Sequence, residues 1–181
     1  CSDNGFLNMS IEDYLALPEA KPYLEYLDGE VVAKVAPDFR HMVLARYLIL
    51  RLADYERDHG GISGPEGRVE FRGDDGTFFR LPDVAYWAEG RALHGSDAMA
   101  PPTLAIEIRS PGQSLNDLRE RCAFFLTHGA DAALLIDPET HTAICMEGGG
   151  EASFRDDGIV RFKAMPGFAL DVAALFKSLP D

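Results

Sequence analysis

Two acidic residues lie within or beside apolar segments of the chain. Glu107 stands between two isoleucines in Leu104-Ala105-Ile106-Glu107-Ile108, and Asp83 precedes the apolar run Val84-Ala85-Tyr86-Trp87. A buried charge without a partner is costly, so such a residue is usually paired, protonated or bound to a metal. Carboxylate oxygens are ligands that Mg²⁺ and Mn²⁺ prefer. If the two segments are neighbouring strands, about 5 Å apart, the two acids can share one divalent cation.

Two arginines are candidates for the cation that stabilises charge on a phosphodiester during hydrolysis. Arg109 follows Glu107 by two residues, so both side chains project from the same face of an extended strand. Arg121 lies on the flank of a predicted helix, from which it can reach toward Glu107. Asp117, one turn earlier on that flank, predicts an i,i+4 ion pair with Arg121. Both arginines remain candidates on this reasoning.

Each of these residues also has a purely structural interpretation. Asp83 after a proline is typical of a turn or the start of a strand. Glu107 can form a buried structural ion pair with Arg109 or Arg121. The pair of Arg121 with Asp117 is an ordinary feature of a helix surface. The five histidines have no ligand spacing, and His41 is interpreted as a residue at the start of a helix.

The elements that must position the acids follow from the periodicity of the apolar residues. Residues 103–109 predict a strand, residues 114–127 a helix that begins with a capping box, and residues 131–137 an apolar internal strand. A strand, a helix and a second strand in this order predict a βαβ unit. Residues 77–87 predict a strand that Pro82 interrupts.

The N-terminal half predicts a hairpin and a long helix. Asp28-Gly29 separates two strand-like segments, residues 23–27 and 30–35, and is the strongest short signal for a hairpin. Apolar residues recur at helical spacing between residues 41 and 59. Glycine and proline predict a turn at residues 64–67, and residues 88–102 predict an exposed loop. Residues 1–9 are expected to be a loose arm.

Composition favours a soluble protein with one domain. The chain has 181 residues, of which 46% are hydrophobic, and no segment approaches the about 20 apolar residues of a membrane span. The formal net charge of −13 argues against a protein that coats nucleic acid, but not against one that contacts it locally. Three widely spaced cysteines favour the reducing cytoplasm. We predict one α+β domain over residues 1–181, with a mixed β-sheet flanked by helices and an N-terminal hairpin.

The order of these motifs resembles a known superfamily. Pro82-Asp83, then Glu107-Ile108 with Ser110-Pro111, then a helix with Asp117 and a basic residue four positions later, is similar to the PD-(D/E)XK restriction-endonuclease-like pattern. The closer resemblance is to its branch of small bacterial proteins of unknown function assigned as endonucleases, the Uma type. The match extends from about residue 14 to residue 170, because the segment from Tyr23 to Glu30, His41 and the segment from Leu135 to Pro138 are also similar.

The resemblance implies Mg²⁺ or Mn²⁺ bound by Asp83, Glu107 and the carbonyl of Ile108, with Glu25 as a further acid at the site. It also implies a catalytic lysine, and here the sequence departs from the pattern. Arg109 occupies the usual lysine position, and Arg121 the displaced position of the branch. Arginine stays protonated, so it can stabilise charge but cannot accept a proton from water.

The sequence therefore supports two functional hypotheses. The first is a metal-dependent DNA endonuclease, with Asp83 and Glu107 as ligands and Arg121 or Arg109 as the electrostatic stabiliser. The second is a catalytically degenerate protein of the same fold that acts as a binding or interaction module. The expected partners are DNA and a second copy of the chain in a homodimer, with no membrane.

Overall fold

The computed structural model of the protein describes residues 8–91 and 98–180. The helices of this part of the chain are α1 (Ile11–Leu15), α2 (Phe39–His59), α3 (Leu115–Thr127) and α4 (Val172–Lys177). Its strands are β1 (Leu24–Leu27), β2 (Glu30–Ala33), β3 (Ile62–Pro65), β4 (Val69–Gly73), β5 (Gly76–Arg80), β6 (Val84–Trp87), β7 (Leu104–Ile108), β8 (Ala132–Asp137), β9 (Thr142–Glu147), β10 (Gly150–Phe154), β11 (Ile159–Phe162) and β12 (Met165–Asp171).

The largest sheet is mixed and has the strand order β10-β9-β8-β7-β6-β3. Its neighbours β7 and β8 are parallel and are joined through α3, while β6 runs antiparallel to β7. Every residue of β7 and β8 is buried, as expected of internal strands covered on both faces. The predicted βαβ unit and the mixed sheet flanked by helices are confirmed. The predicted α+β fold class is therefore confirmed.

Alternation along β7 assigns its side chains to two separate cores. Ile106 and Ile108 pack with α2 and α4 on one face of the sheet. Ala105 packs with Phe125 of α3 on the opposite face. Because side chains alternate along a strand, Glu107 belongs to the face that α3 covers. This parity explains why an arginine of α3 reaches it.

A second sheet, with the order β2-β1-β5-β4, carries the N-terminal hairpin. Asp28 and Gly29 both have positive φ, 47° and 103°, which is the requirement of a two-residue hairpin turn. Tyr14, Tyr26 and Phe79 form a small buried aromatic cluster between α1 and this sheet. The hairpin predicted at Asp28-Gly29 is confirmed. Most of the predicted N-terminal arm lies outside the described residues.

The segment around Pro82 transfers the chain from one sheet to the other. The strand predicted over residues 77–87 is interrupted at Pro82 as expected, but its two halves belong to different sheets, because β5 pairs with β1 and β4 whereas β6 pairs with β7 and β3. The predicted turn at residues 64–67 is wrong for its first half, since Gly64 and Pro65 belong to β3 at the edge of the large sheet. A proline is tolerated there because an edge strand leaves one side unpaired. Residues 92–97 of the predicted loop lie outside the described residues.

Candidate active site

Asp83 and Glu107 are brought together by the pairing of β6 with β7. Val84 lies opposite Ile106, so the next positions beyond this pair are Asp83 and Glu107. The carboxylate oxygen Oδ2 of Asp83 accepts a hydrogen bond of 2.7 Å from the backbone N–H of Ile108. Both side chains are almost completely buried, with exposed fractions of 4% for Asp83 and 3% for Glu107. The junction between the two sheets thus places one carboxylate beside the other.

Asp83 is paired with two cationic groups. The Nζ atom of Lys34 lies 2.6 Å from Oδ1, and the Nε2 atom of His41 lies 2.9 Å from Oδ2. Burial by itself raises the pKa of Asp83, but Lys34 and His41 outweigh burial and hold this pKa well below its usual range. Burial lowers the pKa of His41, and the hydrogen bond and charge of Asp83 more than reverse that effect. Asp83 is therefore ionised, with every oxygen occupied by a donor.

The negative charge of Glu107 is balanced by fewer cationic partners than that of Asp83. The Nε atom of Arg121 donates to Oε1 of Glu107 at 2.9 Å. Burial and the neighbouring charge of Asp83 raise the pKa of Glu107 and Arg121 lowers it, so that the pKa is about 7. The ionised form of Glu107 is thus the one at this site that a further cation beside it would stabilise.

Arg121 joins Glu107 to Glu25 of the N-terminal hairpin. Its Nη1 atom donates to Oε2 of Glu25 at 2.6 Å, and its Nη2 atom donates to Oε1 of the same carboxylate. Burial raises the pKa of Glu25, but Arg121 and the N–H of Leu81, 2.8 Å from Oε1, lower it below its ordinary value. The predicted ion pair of Arg121 with Asp117 is wrong. Two buried carboxylates attract the guanidinium more strongly than one exposed carboxylate does.

Arg109 is not brought to the acids. Its guanidinium contacts Glu139 at 2.8 Å and Asp137 at 3.4 Å, and its Nε atom donates to the carbonyl of Gln113 at 2.9 Å. Arg109 directly follows β7, and its side chain pairs with Asp137 and Glu139 instead of turning back toward Glu107. The structure therefore gathers Asp83, Glu107, Arg121 and Glu25, and leaves Arg109 in a separate network.

The gathered side chains line a cavity of about 220 Å³. The cavity is also lined by three cationic side chains that the sequence analysis did not assign to the site: Lys34, His41 and Arg80. The guanidinium of Arg80 lies 4.2 Å from the ring centroid of Phe124, and its buried Nε atom has no hydrogen-bond partner among the described residues. The sequence does contain a signal for Lys34, because this residue is a charge within the apolar segment Val-Val-Ala-Lys-Val. Glu107 is likewise a charge within an apolar segment.

The donor set of the cavity suits a hard divalent cation. Asp83 and Glu107 supply carboxylate oxygens, and the carbonyl of Ile108 is an oxygen ligand of the same kind. No cluster of three or more acidic, histidine or cysteine side chains able to hold a metal occurs in residues 8–91 and 98–180. An ion at this site would therefore depend on two carboxylates, a backbone oxygen and water, which is a coordination that Mg²⁺ commonly adopts.

A mixed sheet with flanking helices and two acids where adjacent strands meet defines the class as restriction-endonuclease-like. The chain belongs to the Uma2 family, whose description is "Putative restriction endonuclease" and whose model matches residues 11–173. A crystal structure from Anabaena variabilis, described as a "putative nuclease belonging to DUF820", is similar to the chain with a TM-score of 0.80. It is 23% identical, and the match covers 94% of this chain and 98% of that one. No curated protein matches the chain. Among the described residues, no helix is long and apolar enough to cross a membrane.

Proposed function

We propose that the protein is a metal-dependent DNA endonuclease that hydrolyses phosphodiester bonds. The observation that carries this proposal is the position of Asp83 and Glu107 side by side in one cavity, with Glu107 still short of positive charge. Asp83, Glu107 and the carbonyl of Ile108 would hold Mg²⁺ or Mn²⁺. The bound ion would polarise a phosphoryl oxygen and favour ionisation of water.

Arg121 acts on this site chiefly by orienting Glu107. Its guanidinium is fixed by the two oxygens of Glu25 and donates its remaining Nε–H to Glu107. A planar donor held on both sides keeps the carboxylate in one orientation. Glu25 is in turn a positioning residue for Arg121. Arg80, which has no carboxylate partner among the described residues, is the cation best placed to bind a phosphate group in the cavity.

The negative charge of the whole chain is compatible with this substrate if contact with DNA is local. The net charge of −13 excludes broad coating of nucleic acid. The cavity itself collects Lys34, His41, Arg80 and Arg121, and three of these are paired with the acids. Binding of DNA is therefore expected to be weak without the divalent cation, which adds positive charge where phosphate must approach.

The proposal is tested by metal titration and plasmid nicking. Calorimetry with Mn²⁺ should detect one site in the wild type, and Asp83→Asn should weaken binding at least tenfold. Nicking of supercoiled and branched DNA should require Mg²⁺ or Mn²⁺ and should fall about 100-fold in the variant. The exposed acid Asp157 supplies the matched control, because Asp157→Asn changes the same charge at a surface turn. Equal metal binding by wild type and Asp83→Asn would refute the metal site.

One observation favours a second function, that of a catalytically degenerate, dimeric binding module. The chain's own cations already pair with all three acids: Lys34 and His41 with Asp83, and Arg121 with Glu25 and Glu107. A site balanced in this way can retain the fold without using a metal. Retention of labelled branched DNA by metal-free protein, with no nicking in any divalent cation, would support this function, and light scattering would give the oligomeric state.

A further inference from the structure

We propose that Lys34 competes with the metal ion for Asp83. We further propose that it takes the role of the catalytic lysine, for which neither the end of β7 nor α3 provides a residue. The inference rests on the proposed nuclease function. It makes one side chain responsible both for the affinity of the metal and for a positive charge in the cavity during hydrolysis.

Lys34 is held as an internal cation rather than as a surface lysine. Its Nζ atom lies 2.6 Å from Oδ1 of Asp83, 2.7 Å from the carbonyl oxygen of Leu81 and 3.7 Å from Glu66. Only 11% of the side chain is exposed. The two short contacts are hydrogen bonds from the ammonium group, and Glu66 adds a longer ion-pair contact. The residue comes from the end of β2, in the sheet that does not contain Glu107.

The other lysines of the chain do not line the cavity. The sequence has four lysines, at positions 21, 34, 163 and 177, and Lys34 alone lines the cavity with the two acids. The two positions where a lysine is expected by resemblance hold Arg109, which binds Asp137 and Glu139, and Arg121, which is fixed between two glutamates. Lys34 is therefore the cavity side chain best able to act as a mobile ammonium group.

The donors around Asp83 indicate which of them must yield to a metal ion. Oδ2 is bound by the backbone N–H of Ile108 and by His41, which α2 positions, whereas Oδ1 is bound by Lys34. A lysine has four rotatable bonds in its side chain and can move its charge without moving the backbone. Displacement of Lys34 from Oδ1 frees a ligand oxygen for the ion. Its ammonium then remains beside the cavity in which phosphate would bind.

The experiment compares Lys34→Met and Lys34→Arg with the wild type, and Lys177→Met serves as the matched control because Lys177 is exposed on α4. Calorimetry should show that Lys34→Met binds Mn²⁺ about tenfold more tightly, since a competing charge next to the ligand is gone. Lys34→Arg should bind Mn²⁺ no more tightly than the wild type. In plasmid nicking at saturating Mn²⁺, Lys34→Met should cut at least tenfold more slowly than wild type and Lys177→Met.

Tighter metal binding together with slower cleavage is a combination that a merely structural ion pair does not produce. Unchanged or weaker Mn²⁺ binding by Lys34→Met, with normal binding and nicking by the wild type, overturns the inference and leaves the proposed function standing. Tighter binding with unchanged cleavage overturns the role in hydrolysis. Mn²⁺ binding by Lys34→Met but not by the wild type supports the competition and refutes the nuclease function of the wild type. Absence of Mn²⁺ binding in both refutes both proposals. Lys34→Gln replaces the methionine variant if that variant does not fold.

Discussion

Replacement of Glu107 by glutamine should stabilise the metal-free protein, although it removes a proposed metal ligand. Glu107 is 3% exposed, and burial raises its pKa to about 7 from an ordinary 4.5. The ionised form is therefore less favourable in the folded chain than in the unfolded chain, even with Arg121 beside it. Glutamine has nearly the same shape and carries no charge, so it removes this cost.

The size of the effect depends on pH. One pKa unit corresponds to about 1.4 kcal/mol, so a pKa raised from 4.5 to about 7 destabilises the native state by about 3 kcal/mol at pH 8. Below pH 4.5 the carboxyl is protonated in both states and the cost is absent; it grows between pH 4.5 and 7 and is complete above 7. The advantage of Glu107→Gln over wild type should follow the same course.

Urea unfolding in the presence of EDTA at pH 5.5 and pH 8 measures this difference. We expect the variant to gain about 3 kcal/mol at pH 8 and about 1.4 kcal/mol at pH 5.5. Glu120→Gln, an exposed position on α3, is the matched control and should change stability little at either pH. A loss of about 3–5 kcal/mol at pH 8, as for a broken buried ion pair, would refute the reasoning. Addition of Mn²⁺ should raise the stability of wild type but not of Glu107→Gln.

Two further predictions concern the arginines of the cavity. Arg121→Lys replaces a planar donor that binds both oxygens of Glu25 and one oxygen of Glu107, so it should destabilise the fold by about 1–3 kcal/mol in urea unfolding. Unchanged stability would contradict the pairing described above. A gain of nicking activity in this variant would identify the wild type as a degenerate enzyme. Arg80→Ala should weaken DNA binding at least tenfold in a fluorescence-anisotropy titration with Mn²⁺ present. It should change the Mn²⁺ affinity less than threefold, because Arg80 lines the cavity without contacting either acid. Equal DNA binding by wild type and variant would show that Arg80 is not part of the site.

Local signals in the sequence were sufficient for the elements next to the acids. Strand β7 differs from the predicted residues 103–109 by one residue at each end. Ser114 accepts from the backbone N–H of Asp117, as the capping box predicts, and Asp171 accepts from Ala174 at the start of α4. These features depend on residues at most a few positions apart. Such interactions are the ones that patterns in a single sequence can report.

Contacts between distant residues were predicted only where strand pairing was itself predictable. The meeting of Asp83 with Glu107 follows from two neighbouring strands, and the structure brings both to one cavity. The contacts of Lys34 with Leu81 and of Arg121 with Glu25 join residues 47 and 96 positions apart. No periodicity encodes them, because they depend on how one sheet sits against another. For the same reason, the partners of Arg109 could not be predicted from its position alone.

The break at Pro82 explains why the small sheet is part of the site. The chain leaves β5 at Arg80, and in the next three residues it presents the backbone groups of Leu81 and then the carboxylate of Asp83. The N-terminal hairpin binds this connection from both sides, with Glu25 accepting the N–H of Leu81 and Lys34 donating to its carbonyl. The hairpin thus fixes the backbone that carries Asp83 and also contributes a carboxylate and an ammonium to the cavity.

The same arrangement accounts for how the site can balance its charges without a lysine in β7 or α3. Three carboxylates meet where the sheets join, and each cation that opposes them comes from a different element: Arg121 from α3, Lys34 from the end of β2 and His41 from α2. These three cations oppose the same acids although they come from different elements, because charge–charge interactions depend on distance and not on the connection of the chain. Lys34 differs from the other two because its side chain can move its charge away from Asp83. The metal affinity that we propose for the site would therefore depend on the hairpin as much as on the strands that carry the proposed ligands.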